Sequence, residues 1–115
     1  MSFTTRTRDL LEKNGYRTAR VEHYNTFSHR KNDLWSFGDI LAFLPNTPGV
    51  VISQVTSVGH VSDRRKKILS NPIARQWIEA GNSIRLDLWQ KAKNRWTHTY
   101  QLVTIDMFEE EKNVS

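Results

Sequence analysis

An α/β fold, built as a central mixed sheet of about five strands flanked by helices, is what this sequence predicts, and three observations lead to it. Two apolar runs, residues 35–44 and 49–56, are nearly continuous rather than alternating, the pattern of strands buried on both faces beneath helices. Between them stands Pro45-Asn46-Thr47-Pro48, a reversal signal that folds the two runs into a hairpin. Around this pair, segments of strand period alternate with segments carrying helix start and stop signals, in the order αβββααββ.

Each element has its own signal. Residues 5–14 read as a helix closed by Gly15, which suits the left-handed position after a helix end. Residues 16–24 are rich in strand formers and place Tyr16, Thr18, Arg20 and Glu22 on one face. A polar connection over 25–33 follows, its His29, Arg30 and Lys31 suited to touching a polyanion or simply to solvent. After the hairpin, residues 62–70 form a strongly basic helix. Asn71-Pro72 then pairs an N-cap with proline at the first helical position and starts a helix over 72–80, with Ile73, Trp77 and Ile78 on one stripe and Gly81 as its stop. Residues 83–89 alternate Ile84, Leu86 and Leu88 against Arg85, Asp87 and Trp89, and a basic connection over 91–95 leads to a last strand over 96–105.

At 115 residues the chain has room for one domain, expected over 1–108, with 109–115 as an acidic, flexible tail. Cysteine is absent, which excludes disulfides, thiolate nucleophiles and cysteine-based zinc sites. No apolar run approaches the roughly 20 residues that span a bilayer and residues 1–6 carry no signal-peptide core, so no membrane partner and a cytoplasmic location are expected. The net charge of +5 is unevenly spread: residues 60–96 hold 9 basic and 3 acidic side chains, whereas 97–115 hold 1 and 4, with Glu109, Glu110 and Glu111 adjacent. A local basic surplus beside four tryptophans fits a nucleic-acid partner, through phosphate contacts and base stacking; a solubilising surface is the plain alternative. Trp77 reads as core, while Trp89 and Trp96 flank the 91–95 connection and suit either packing on the sheet or stacking on bases.

A hairpin centred between Asn46 and Thr47 pairs residues whose numbers sum to 93, which sets Asp39 opposite Gln54 with Thr56 on the same face. An ionised carboxylate inside so apolar a strand costs several kcal/mol unless it is paired, solvated in a cleft or bound to a cation. Asp39 and the amide oxygen of Gln54 are hard ligands suited to Mg²⁺, and Glu22 would add a second carboxylate. The structural alternative pairs Asp39 with Arg17 or Arg20 and leaves Gln54 as a hydrogen-bonded core residue.

The element order, together with Gly15-Tyr16, Val21-Glu22, Asp33-Leu34-Trp35-Ser36-Phe37-Gly38-Asp39-Ile40-Leu41-Ala42, Ile52-Ser53-Gln54-Val55-Thr56-Ser57, the basic stretch 64–68 and Trp77-Ile78-Glu79-Ala80-Gly81, resembles the PD-(D/E)XK nuclease superfamily, the restriction-endonuclease-like fold. Within it the likeness is to small bacterial and phage proteins in the neighbourhood of Holliday-junction resolvases, and it covers roughly residues 5–96. The resemblance implies Mg²⁺- or Mn²⁺-dependent hydrolysis of DNA, branched or structured forms included. Asp39 matches the metal-binding Asp, Gln54 stands at the (D/E) position, Thr56 at the Lys position, and Glu22 matches an acidic residue used by some members. Two of these depart from the pattern: glutamine still offers a carbonyl oxygen, but threonine cannot supply a lysine's charge. Lys67, Lys66 or Lys91 are the candidates for that role. His60, Arg64, Arg65, Lys66, Lys91 and Lys93 are the expected nucleic-acid contacts. A homodimer is compatible, because two scissile strands need two sites. The alternatives are a catalytically silent relative that only binds nucleic acid, or a protein-interaction module in which the basicity is incidental.

Overall fold

The computed structural model describes the backbone of residues 2–114 and their side chains except at 24, 25, 31 and 110–114. Helix α1, Phe3–Lys13, opens at Ser2, whose hydroxyl accepts from the Thr5 N–H at 3.1 Å, and buries Thr4, Thr7 and Leu11 at helical spacing. Gly15 follows its end at φ 97°, as expected. Strands β1, Arg17–Arg20, β4, Ile40–Phe43, and β5, Val51–Ser57, form an antiparallel trio. Between β1 and β4 stand two short strands, β2, His23–Asn25, and β3, Arg30–Asn32, paired with each other. A 3₁₀ turn, Val58–His60, leads into α2, Val61–Leu69, and α3, Pro72–Glu79. Strands β6, Ser83–Ala92, and β7, Arg95–Val103, form a long hairpin, and α4, Ile105–Val114, closes the chain.

The five-stranded sheet runs in the order β1-β4-β5-β6-β7. Its one parallel contact is β5 with β6, and the α2–α3 pair supplies the crossover that parallel neighbours require. Alternation along the strands sorts the core into two layers. Ile52, Ile84, Leu86 and Leu88 meet Ile68 of α2, Ala74 of α3 and Phe108 of α4 on one face. Ile40 and Ala42 meet Leu11 of α1 on the other. The sheet is therefore flanked by helices on both sides, which is why its central strands read as apolar runs.

The β4–β5 ladder pairs Ile40 with Ser53, Leu41 with Ile52 and Ala42 with Val51, the register that the proline-bounded reversal predicts. The N-cap of α3 also forms as expected, Asn71 Oδ1 accepting from the Ile73 N–H at 2.9 Å, although Ala74 rather than Ile73 is the buried residue of its first turn.

Four expectations are corrected. The strand expected over 16–24 ends at Arg20, and residues expected as a loop over 25–33 include β3, so a small β2–β3 hairpin replaces one long strand and a coil. Residues 35–39 are a turn rather than strand, with Trp35 at φ 51° and Ser36 at φ 73°, because Phe37 is drawn wholly into the core and a Leu34–Gly38 bridge closes the loop behind it. The basic connection 91–95 is a two-residue hairpin turn, Lys93 and Asn94 at φ 51° and 64°, the left-handed pair that such turns require, so Lys91 belongs to β6 and Arg95 to β7. Residues 109–114 continue α4 rather than forming a tail: Phe108 anchors that helix in the core, and Arg75 bonds Glu109. The side chains of Glu110 and Glu111 lie outside the described residues. Among those residues no helix is long and apolar enough to cross a membrane.

Gly49, at φ 93°, lies where an added Cβ would stand 2.7 Å from the Gly81 carbonyl oxygen, at the point where β5 and β6 begin side by side. Gly49→Ala combines a strained backbone with a clash against main chain, so it should lower stability by about 2 kcal/mol, roughly 8 °C in Tm, measured by thermal denaturation.

Candidate functional site

Three separate stretches of chain bring three carboxylates together. The β2–β3 ladder pairs residues whose numbers sum to 55, so the rung after His23–Asn32 sets Glu22 against Asp33 at the base of the hairpin. The Val21 N–H donates to the Asp39 carbonyl at 3.0 Å, tying that base to the start of β4. One oxygen each from Glu22, Asp33 and Asp39 lies within 4.8 Å of the others. Asp39 in turn donates its N–H to the Ser53 carbonyl at 2.9 Å, which turns its side chain to the same sheet face as Gln54. The Gln54 amide nitrogen then donates to Asp39 Oδ2 at 2.9 Å, and the Val55 N–H donates to the same oxygen at 2.7 Å.

Asp39 is fully buried. Burial is the largest influence on its carboxyl, and hydrogen bonding to Glu22 and Asp33 together with the Asp33 charge adds to it; against the smaller opposing effect of the Val55 N–H, these push it up to about 8 from 3.8. The cluster therefore keeps a proton at neutral pH when no cation is bound. Arg20 holds Glu22, its Nε donating to Oε1 at 2.7 Å, so the arginine considered as a partner for Asp39 serves the neighbouring carboxylate. Gln54 is 2% exposed, and its Oε1 has no hydrogen-bond partner among the described residues; nor does the buried Oδ1 of Asp33. A buried amide oxygen without a donor, near three crowded carboxyl groups that share a proton, is a set of hard oxygens that a divalent cation satisfies once that proton leaves.

Through Asp33 and Gln54 the cluster borders a pocket of about 590 Å³ that Trp35 and, from α2, Arg64 and Lys67 also line. Spacing of three along the helix points both cations the same way. The structure thus brings together Glu22, Asp39 and Gln54, and Gln54 lines the same pocket as Lys67 and Arg64. Thr56 is buried on the same sheet face as Gln54, one pleat further along, and does not line the pocket. Arg65 bonds Gln101 of β7, while Lys66 and His60 are exposed outside the pocket. Lys91 and Lys93 are exposed on the β6–β7 hairpin and do not line it either. Trp77 is half-buried and donates to the Ser83 carbonyl, and Trp89 is buried against Phe3, so both pack in the fold; Trp96 meets Phe3 edge-on and stays partly exposed. Of the residues at the cluster, Asp33 is the one that sequence reasoning missed. Its signal was the 23–32 hairpin, which sets it opposite Glu22 once that register is known.

A second polar network, unforeseen in the sequence, occupies the α1 face of the sheet. Asp87 is fully buried on β6 and accepts from Arg85 Nη2 at 2.8 Å and Nε at 3.0 Å, bonds His98 Nε2 at 2.7 Å, and accepts the Ser53 hydroxyl. Burial alone would raise its carboxyl, but the bonds from His98, Arg85 and Ser53 together with the Arg85 charge outweigh it and hold the group below the usual carboxylate value. Because the carboxylate stands between Ser53 and His98, the histidine is not placed to take the serine proton. The network instead clamps β5, β6 and β7 together. None of the family models, curated proteins or solved structures compared with the chain matches it.

The two buried aspartates predict opposite pH behaviour. Asp39 is raised in the fold, so the folded chain holds a proton that the unfolded chain releases above 3.8, and metal-free stability falls as pH rises from about 4 to about 8. Asp39→Asn keeps an acceptor for Gln54 and Val55 and should remove that slope, raising Tm at pH 8 in chelator by more than about 4 °C, as calorimetry across pH would show. Asp87 is lowered, so its contribution is complete above 3.8 and is lost as pH falls below that value. Asp87→Asn leaves Arg85 as a buried charge without its counterion and should cost about 3 kcal/mol at pH 7, read from denaturant unfolding.

Proposed function

We propose that the protein is a divalent-metal-dependent phosphodiesterase acting on DNA, a PD-(D/E)XK-type nuclease of the restriction-endonuclease-like fold in which the usual acidic and lysine positions are Gln54 and Thr56. The observation that carries this reading is the meeting of Glu22, Asp33 and Asp39 near the unpartnered amide oxygen of Gln54, with Lys67 and Arg64 lining the same pocket as Asp33 and Gln54. The element order, an antiparallel trio followed by a helical crossover to a parallel strand, supports the resemblance on which the fold assignment rests.

In this reading Glu22, Asp33, Asp39 and Gln54 hold Mg²⁺ or Mn²⁺. A bound ion supplies positive charge for the phosphate oxygens and acidifies a water molecule. Arg64 pairs with the phosphate, and the Lys67 ammonium takes the orienting role that Thr56 cannot fill, holding the water in line with the bond to be broken. The water gives up a proton to solvent as its oxygen bonds to phosphorus, the phosphorus–oxygen ester bond breaks, and the leaving oxygen takes up a proton from solvent. His60, Arg65, Lys66, Lys91 and Lys93 lie away from the pocket and serve, in this reading, as contacts to more distant phosphates. A homodimer acting in the cytoplasm belongs to the same reading. A second reading, a silent relative that binds DNA without cutting it, is favoured by one observation: Thr56 is buried and brings no charge to the site.

Cleavage of supercoiled and branched DNA separates the two. The expected result is nicking that requires Mg²⁺ or Mn²⁺, stops in chelator, falls more than 100-fold in Asp39→Ala and about 100-fold in Lys67→Ala, and changes little in Lys66→Ala. Binding without cleavage in every metal selects the silent reading, and cleavage indifferent to Asp39→Ala overturns the site.

A further inference from the structure

We infer that the pocket beside the carboxylates receives one unstacked nucleotide, with the indole of Trp35 as the surface on which its base stacks. This builds on the DNA-cleaving reading and adds the form of the substrate, a strand whose nucleotide at the site is unpaired.

The pocket has three chemically different walls. Asp33 and Gln54 form the oxygen-rich wall, Arg64 and Lys67 the cationic wall, and Trp35 the aromatic one. The cationic wall suits a phosphate and the aromatic wall suits a base. At about 590 Å³ the depression has room for a single small ligand. Paired bases keep their faces against their neighbours, so only a nucleotide out of the stack can present its ring to this wall.

Trp35 is held there against its local preference. A bulky residue at φ 51°, followed by Ser36 at φ 73°, adopts a backbone conformation that large side chains rarely take. The turn persists because Asn71 Nδ2 donates to the Trp35 carbonyl at 2.9 Å, the Leu34 N–H donates to the Gly38 carbonyl at 2.8 Å, and Phe37 is wholly buried between them. The ring leans on Trp77 and Phe37, with centroids 5.7 and 6.5 Å away, yet the residue remains 42% exposed. It is thus braced by two rings from within the protein, and it lines the pocket while remaining partly open. Strain kept at such a position is a feature of binding sites, and a fixed, half-open indole is the side chain best suited to stacking on any base.

The test uses duplex DNA carrying a single unpaired 2-aminopurine and the same duplex fully paired, titrated in chelator at low salt so that no cleavage intervenes. The unpaired form should bind roughly tenfold tighter than the paired one and lose its 2-aminopurine fluorescence on binding, the effect of one stacked base. Trp35→Ala should remove both the preference and the quenching, and Trp35→Phe should restore most of each. Trp35→Leu keeps an apolar contact with Trp77 but has no ring, and takes the place of Trp35→Ala if that variant does not fold. Equal affinity for the two DNAs, or a preference and quenching that persist in a folded variant without a ring, overturns the inference. Addition of Mg²⁺ to the wild-type complex then reads the hydrolytic proposal separately: binding and quenching without cleavage upholds the stacking site and sinks hydrolysis, whereas no binding to either DNA overturns the stacking site and leaves hydrolysis to be decided by the metal-dependent cleavage of supercoiled and branched DNA.

Discussion

The arrangement turns on the buried carboxyl of Asp39. One of its oxygens accepts from the Gln54 amide and from the Val55 N–H, which fastens the start of β4 to the middle of β5, while the group also faces Glu22 and Asp33. A charge there is costly without a cation, and a proton there is costly to lose, so the group is stable as a neutral acid or as a ligand. Either state keeps the β2–β3 hairpin, β4 and β5 gathered at one point. The pocket exists because these segments converge on it.

Strand β5 gives the sheet two polar centres without breaking its core. Ser53 and Gln54 are neighbours in sequence and point to opposite faces, Ser53 to Asp87 beneath α1 and Gln54 to Asp39 beneath α2. Their chemistry differs because their partners differ. Asp87 is matched by Arg85 and His98, so it is a satisfied anion that clamps strands. Asp39 is matched by a neutral amide and surrounded by other carboxylates, so it is an acid under tension. The same residue type in the same sheet is structural on one face and suited to cation binding on the other.

Much of this was legible in advance where the physics is local. The Pro45–Pro48 reversal set a pairing register, and the register set Asp39 beside Gln54, because strand alternation leaves no other choice once the turn is centred. The basic helix after β5 placed Lys67 among the candidates, although its sharing of a pocket with Arg64 and Gln54 depended on where the helix packs. Asp33 and Trp35 were not legible. Their positions follow from the β2–β3 hairpin and from a left-handed turn held by Asn71, which is distant in sequence. The Asp87 network was equally hidden, since alternation put Arg85, Asp87 and Trp89 on one face but could not say that α1 would cover that face.

By itself the sequence determined an α/β chain, its two-sided burial, the hairpin that pairs a carboxylate with an amide and the basic character of α2, because these follow from side-chain period, turn chemistry and charge. The tertiary structure alone decided which carboxylates meet, which lysine lines the pocket they border, and that a partly exposed aromatic ring lines it too. Those depend on long-range packing: Phe37 and Phe108 are drawn into a common core, and the loops and helices they anchor take whatever local conformation that burial demands, left-handed tryptophan included.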